Sequence, residues 1–238
     1  MKESFRLKET SVWITADDKG YIEIAKEDIK QRRKELERFV RWHPYFLVTL
    51  ERYQVDEVEV GGGREKDEIP EVVRRMIDAS GKFGIGPMSA VAGTLAEFAV
   101  EAMQDAGATY AMVDNGGDIA LITDREVLVG IYAGESQFSN KIALRVKPSS
   151  SLVGICTSSG TVGHSISFGT ADAATVISTS ASLSDAAATA LCNAITDAHS
   201  ITEAFSSINH VGSIEGALVI YKDVLATWGK VPEIVKTK

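Results

Sequence analysis

Cysteine is nearly absent from this sequence: Cys156 and Cys192 are the only two in 238 residues. Two thiols cannot build a disulfide framework. Neither belongs to a Cys-x-x-Cys pair and the four histidines are scattered, which excludes a zinc centre of the usual spacing. Both sit among apolar or small residues, where a thiol behaves as a small hydrophobe. Long apolar runs are missing too. None approaches the roughly 20 residues that span a bilayer. The N-terminal stretch MKESFRLKETSVWITADD has no apolar signal core and no lipobox cysteine. A cytoplasmic protein with no membrane partner is the expectation. Excess positive charge is also lacking, the formal net charge being -8. The densest basic run, Lys30-Gln31-Arg32-Arg33-Lys34, is flanked by acids and reads as a solvated helix face. No nucleic-acid partner is expected.

What is present is ordinary for a globular chain, with 45% hydrophobic and 24% charged residues. No composition break or internal repeat divides it, so residues 1–238 are read as a single domain. Residues 4–16 and 21–24 read as strands around the turn Asp17-Asp18-Lys19-Gly20. Residues 27–41 turn helical, with Ile29, Leu36 and Val40 on one face, and 45–52 form a second short helix after Pro44. Gly61-Gly62-Gly63 is either a flexible connector or a point of close backbone approach. Pro70 opens a helix running to about residue 79, with Gly81 as its stop. A further helix spans 88–105, closed by Gly107. Its small face of Ala92, Ala96 and Ala99 lets it lie deep against a sheet. Strands follow at 109–114, 118–123, 126–132, 140–146, 152–157 and 173–178. An alanine-rich helix at 184–198, a helical turn at 201–207 and strands at 214–221 and 223–228 complete the chain. Many consecutive strands with long packed helices predict an α+β fold on a mostly antiparallel sheet.

Three constellations carry chemistry. Asp114-Asn115-Gly116-Gly117-Asp118 is a hairpin turn by its Asn-Gly signal; paired glycines would also let a ligand's phosphate or ring touch backbone beside a carboxylate. Thr157 to His164 is a polar loop in which the amides of Ser158, Ser159 and Gly160 could form an anion nest. His164 is either a site residue or a merely hydrogen-bonded histidine. The run Gly163-His164-Ser165-Ile166-Ser167 begins like a nucleophile elbow, but its closing glycine is missing, which excludes a serine hydrolase of that type. Asp185 and Thr189 fall on one helical face, four residues apart. A carboxylate and a hydroxyl so placed are hard-oxygen ligands suited to Mg²⁺. Ser182-x-x-Asp185 also has capping-box spacing, and Thr189 could bond back to its own helix.

Taken in order, these motifs resemble the ApbE-type FAD:protein FMN transferases over about residues 86–200. The resemblance rests on Ala90-Val91-Ala92 opening a helix, Val113-Asp114-Asn115-Gly116-Gly117-Asp118, Cys156-Thr157-Ser158-Ser159-Gly160, His164, and Ser184-Asp185-Ala186-Ala187-Ala188-Thr189-Ala190. It is greatest with the short, leaderless relatives of that family in archaea and bacteria. The resemblance implies a T-fold-type α+β architecture with packed helix pairs. It implies FAD or FMN and Mg²⁺ as cofactors, and transfer of FMN through a phosphoester onto a serine or threonine of a protein acceptor. Asp185 and Thr189 would hold the metal, with the Ala90 carbonyl as a third ligand. Asn115, Gly116 and Gly117 would lie along the flavin. Ser158, Ser159 and Gly160 would hold a phosphate, and Asp118 and His164 would serve the reaction. Two departures stand out: Gly93-Thr94 replaces the family's lysine-glycine pair, and Ser165-Ile166-Ser167 follows the histidine where the family has Asp-Pro. The alternative is therefore a non-catalytic flavin- or nucleotide-binding protein on the same scaffold. A structural subunit without ligand is the third reading. A homo-oligomer is expected, since exposed sheet edges and small-faced helices are safer covered.

Overall fold

The computed structural model describes residues 1–54, 69–161 and 168–237. The triple glycine at 61–63 and His164 lie outside the described residues. Strand β1 (Lys2–Leu7) pairs antiparallel with β2 (Thr10–Ala16) around Lys8, which takes a left-handed φ of 53°. The first hairpin therefore turns here, and the expectation of a turn at 17–20 is corrected. Asp18 instead caps helix α1 (Lys19–Trp42), its carboxylate accepting from the Gly20 amide at 2.6 Å. Asp is a preferred N-cap, and Ile22, Ala25, Ile29, Leu36 and Phe39 recur at helical spacing, so residues 21–24 continue a helix. Two short helices connect onward, α2 (Tyr45–Val48) and, after Pro70, α3 (Glu71–Gly81).

A 3-10 turn at Pro87–Ala90 leads into α4 (Val91–Asp105). Strands β3 (Ala111–Asn115) and β4 (Asp118–Thr123) form the next hairpin, followed by β5 (Val127–Gly130), β6 (Ile142–Val146), β7 (Ser149–Ser158) and β8 (Ala173–Ser178). Helix α5 (Ala181–Ala194), short helices α6 (Ile201–Ala204) and α7 (Ser206–Asn209), and strands β9 (Ile214–Tyr221), β10 (Val224–Gly229) and β11 (Glu233–Lys236) finish the chain. The large sheet has the order β1-β2-β3-β4-β7-β8-β9-β10, every neighbour antiparallel; the small one is β11-β6-β5. The α+β, mostly antiparallel class is as expected.

Strand β4 explains the layering. Ala120 and Ile122 point into a core with α1, α4 and α5, whereas Ile119 and Leu121 point into a core with β5 and β6. Period-two alternation thus buries both faces, which is why the strand reads as a continuous apolar run. Helices lie on one side of the large sheet and the small sheet lies on the other. Strand β11 was not anticipated; it has no buried residue and pairs with β6 at the surface.

Helix α5 starts at Ala181, earlier than expected, with the Ser180 hydroxyl accepting from the Leu183 amide at 3.2 Å as the cap. Asp185 is therefore one turn inside the helix, and the capping-box reading of Ser182 and Asp185 is corrected. Helices α4 and α5 meet at Gly93. A Cβ there would lie 2.3 Å from the Ala181 carbonyl oxygen and 2.7 Å from the Asp185 Cβ. Glu97 fastens the same joint: it accepts from the Ser182 amide at 2.7 Å and the Ser180 hydroxyl at 2.8 Å, with Arg75 Nη1 at 3.1 Å. Gly93→Ala should force the helices apart and destabilise the protein by about 1–3 kcal/mol, as overpacking does in other cores. Urea denaturation checks this; an unchanged midpoint would show that the joint can open freely.

Candidate functional site

The β3–β4 turn consists of Gly116 and Gly117, at φ 72° and 104°, with Asn115 and Asp118 paired across it. Both positions need positive φ, so a side chain at either would be strained. The turn is tied down on both sides. The Gly117 amide donates to Asp114 Oδ1 at 2.9 Å, and the Thr157 amide donates to the Gly117 carbonyl at 3.2 Å. Asn115 Nδ2 donates to the Ala92 carbonyl at 3.1 Å, joining the turn to the start of α4.

A cavity of about 740 Å³ opens there. Asn115, Gly116, Gly117, Asp118 and Ser159 all line it, so five of the expected site residues share one space. Ser158 and Gly160 do not line it. Gly160 donates its amide to the Ala171 carbonyl at 2.9 Å, and Ser158 is a buried rung paired with Ala174 in the β7–β8 ladder. Apolar and aromatic side chains form part of the remaining wall, Ile119, Val129, Ile131, Ile155, Trp13 and Tyr132, with Ser11 and Thr157 among the polar ones. Trp13 and Tyr132 were not anticipated. For Trp13 a signal existed, an aromatic on the outward side of β2, whose alternate residues Val12 and Ile14 are buried. Glu9, Asp114 and Asp118 contribute carboxylates, Glu9 ion-paired with Arg33 at 2.6 Å, and among the described residues no lysine or arginine lines the cavity. A second cavity of about 790 Å³ around Arg52, Arg74 and Lys82 holds none of the expected site residues.

Behind Asp118 lies Asp185. The Gly93 amide donates to Asp185 Oδ2 at 2.8 Å, so the free amides at the start of α4 address this carboxylate. Burial nevertheless pushes Asp185 up, to about 7, against the pull of the Gly93 and Ala92 amides. Burial also lifts Asp118 well above the usual carboxylate range, and the charge of Asp185 lifts it further. Cys156 is raised by burial and then by these two carboxylates; it stays a thiol, with Sγ 3.3 Å from the Ala181 carbonyl. Thr189 follows one turn after Asp185 and is half-buried, and Ala90 is buried in the same cluster as Ala186 of α5.

Two neighbouring carboxylates, Asp185 buried and Asp118 half-buried at the cavity wall, with no basic partner among the described residues are a donor set in want of a cation. No three His, Cys, Asp or Glu side chains cluster as a metal cage among the described residues. Mg²⁺ does not require one: it is held by one or two carboxylates together with water and substrate phosphates. The residues present fit that ion.

A family model described as AbpE bacteria matches residues 2–215. A UPF0280 protein of Methanosarcina acetivorans is 52% identical over 239 residues, covering 100% of this chain and 90% of its own. Among solved structures, the apbe protein of Thermotoga maritima is similar at a TM-score of 0.59 and 15% identity, covering 95% of this chain and 96% of its own. The Pseudomonas stutzeri flavinyl transferase ApbE in its apo form is similar at a TM-score of 0.56 and 12% identity, covering 98% of this chain and 95% of its own. At such identities these structures establish the fold.

The raised carboxylates set a pH dependence. A group held above its unfolded pKa, about 3.9 for Asp, stabilises the fold below that value. The stabilisation is lost as pH rises through the folded pKa, here about 7. In chelator, wild-type stability should fall between those limits. Asp185→Asn should flatten the fall and be the more stable protein at pH 8, by on the order of a few kcal/mol at most. Thermal melts across that range test this, and parallel curves for the two proteins would refute the raised carboxyl.

Proposed function

The chain belongs to the family described as AbpE bacteria, an ApbE-like family, and on that premise we propose that it is a Mg²⁺-dependent flavin transferase. FAD would be the donor and a serine or threonine of a protein the acceptor. One observation carries the reading: a cavity with aromatic and apolar walls that holds carboxylates and, among the described residues, no basic side chain, backed by the neighbouring Asp118 and Asp185. A flat ring fits between such walls. Glu9 is ion-paired with Arg33 at 2.6 Å, but Asp114 and the Asp118–Asp185 pair would oppose a bare pyrophosphate, so a cation would favour phosphate binding there.

Asp185 would hold that cation, with Thr189 and the Ala90 carbonyl as the further ligands. When bound, Mg²⁺ supplies positive charge that offsets the pyrophosphate. Asn115, Gly116 and Gly117 position the donor by letting it approach the backbone, and Ser159 offers a hydroxyl at the cavity wall. Ser158, a buried rung of the β7–β8 ladder, and Gly160, whose amide is bonded to the Ala171 carbonyl, leave the expected anion nest without their two amides. In the transfer, the acceptor oxygen forms a bond to the flavin-side phosphorus, the bridging P–O bond breaks, and AMP leaves. The acceptor's proton goes to Asp118, whose raised proton affinity suits a base. His164 is proposed to relay a proton or orient a substrate oxygen.

The second reading, a non-catalytic flavin or nucleotide binder, is favoured by Gly93-Thr94. The Gly93 amide serves Asp185 and Thr94 is fully buried, so neither supplies the charged side chain of the family's lysine.

Thermal-shift titration with FAD, FMN and ATP, each with and without Mg²⁺, tests the binding half. FAD with Mg²⁺ should stabilise the fold by about 2.7 kcal/mol at a hundredfold excess over Kd. The shift should vanish without metal and in Asp185→Ala. AMP release from FAD in the presence of acceptor separates transferase from binder. No shift with any flavin would end both readings.

A further inference from the structure

Residues 42–50 form an exposed patch that the proposed chemistry does not use. Trp42, Tyr45, Leu47, Val48 and Leu50 are between 51% and 74% exposed. Isolated exposed hydrophobics are ordinary, but five in one short stretch make a patch with a purpose. The segment is anchored from below: Phe46 is fully buried and meets Phe39 and Tyr53 edge-on, at centroid distances of 5.3 and 5.1 Å. The fold therefore holds these apolar side chains outward on a fixed base.

Basic charge flanks them. Lys34, Arg38, Arg41 and Trp42 follow one another at steps of four, three and one, and all four are exposed on the side of α1 away from the buried Leu36 and Phe39. Near the basic residues Glu37 is engaged with Lys8 and Arg33 and Glu35 with Arg32, while the exposed Glu51 after Leu50 is followed by the exposed Arg52. Lys34, Arg38 and Arg41 form no ion pair among the described residues. On a chain of formal charge -8, this is a local surplus of the opposite sign.

We infer that this face docks onto an anionic lipid surface. Trp and Tyr prefer the boundary between water and hydrocarbon, the aliphatic side chains reach beyond it, and the basic residues meet the headgroups. A symmetric contact with a second copy would set Arg38 and Arg41 against their own kind. A protein partner recognises polar groups as well as apolar ones, and the outward side chains at 42, 45, 47, 48 and 50 offer only the Trp42 and Tyr45 polar atoms. Among the described residues no helix is long and apolar enough to cross a membrane, which bears on spanning, not on surface contact.

Vesicle flotation tests the inference with phosphatidylcholine alone and with phosphatidylcholine mixed with phosphatidylglycerol. Wild type should bind the anionic vesicles at least about tenfold better, lose that preference in high salt, and show a blue-shifted tryptophan emission absent in Trp42→Phe. Lys34→Glu with Arg38→Glu should reduce binding to the level of neutral vesicles. Trp42→Glu with Val48→Glu should abolish it, while melting temperature and the response to FAD and Mg²⁺ stay as in wild type. Equal binding to both vesicle types, or none, would overturn the inference. So would a wild-type dimer by light scattering that Trp42→Glu turns into monomers, since the patch would then be a contact between copies.

Discussion

The joint between α4 and α5 leaves no room for a methyl group at Gly93, and the site depends on that intimacy. Only because the two backbones touch does the start of α4 bring its free amides onto Asp185, one turn into α5. Glu97 sits one turn further along α4 and bonds the first residues of α5, so the contact is held in register as well as in distance. Arg75 of α3 closes the same network from outside. A buried carboxylate so surrounded is satisfied, whereas removal of one partner would leave a desolvated charge. The acidic side chain that fastens the scaffold and the one that faces the chemistry are thus neighbours with opposite requirements.

That opposition shows in their electrostatics. Glu97 has an arginine; Asp185 has only amides, and beside it stands Asp118 with the same sign of charge. Amides at a helix start stabilise an anion modestly, too little to offset burial of two carboxylates. The arrangement is least costly when one carboxyl is protonated or a cation is present. A protein selected only for stability would have neutral side chains there. Retention of both acids next to a cavity without lysine or arginine makes sense if the phosphate arrives with its own counter-charge.

Much of this could be read from the chain, and the misreadings have physical causes. The β3–β4 hairpin and the strand at 118–123 were legible because turn chemistry is local, although the turn itself is Gly116-Gly117 and the Asn-Gly signal starts one residue early. The first hairpin was misplaced because Asp17-Asp18-Lys19-Gly20 carries turn-forming residues, whereas Lys8 takes a left-handed φ with nothing in its type to announce it. The start of α5 was set too late because Ser182 and Asp185 have the spacing of a cap, while the actual cap, Ser180, bonds to Leu183. Asn115, Gly116, Gly117, Asp118 and Ser159 meet at one cavity because they border one hairpin and one loop. Trp13 and Tyr132 could not be joined to them, because their meeting depends on how β2 and the segment after β5 fold around the same cavity.

The position of the site follows from the layering. The interiors of β4, β7 and β8 are covered by helices on one face and by apolar contacts with the small sheet on the other. A polar group midway along such a strand would be buried without solvent or ligand. Functional polar residues are thereby confined to strand ends. Of the ends available, that of the β3–β4 hairpin is the one where α4 begins and α5 passes behind. Asp118 opens β4 at that end, with every later residue of the strand buried. The Gly116-Gly117 turn keeps the approach low enough for backbone to meet a ligand. Lengthening it would move Asn115 away from the Ala92 carbonyl and loosen the start of α4 together with its hold on Asp185. Turn, helix start and carboxylate therefore act as one unit, and a change in any of them should be felt first as altered metal and ligand binding.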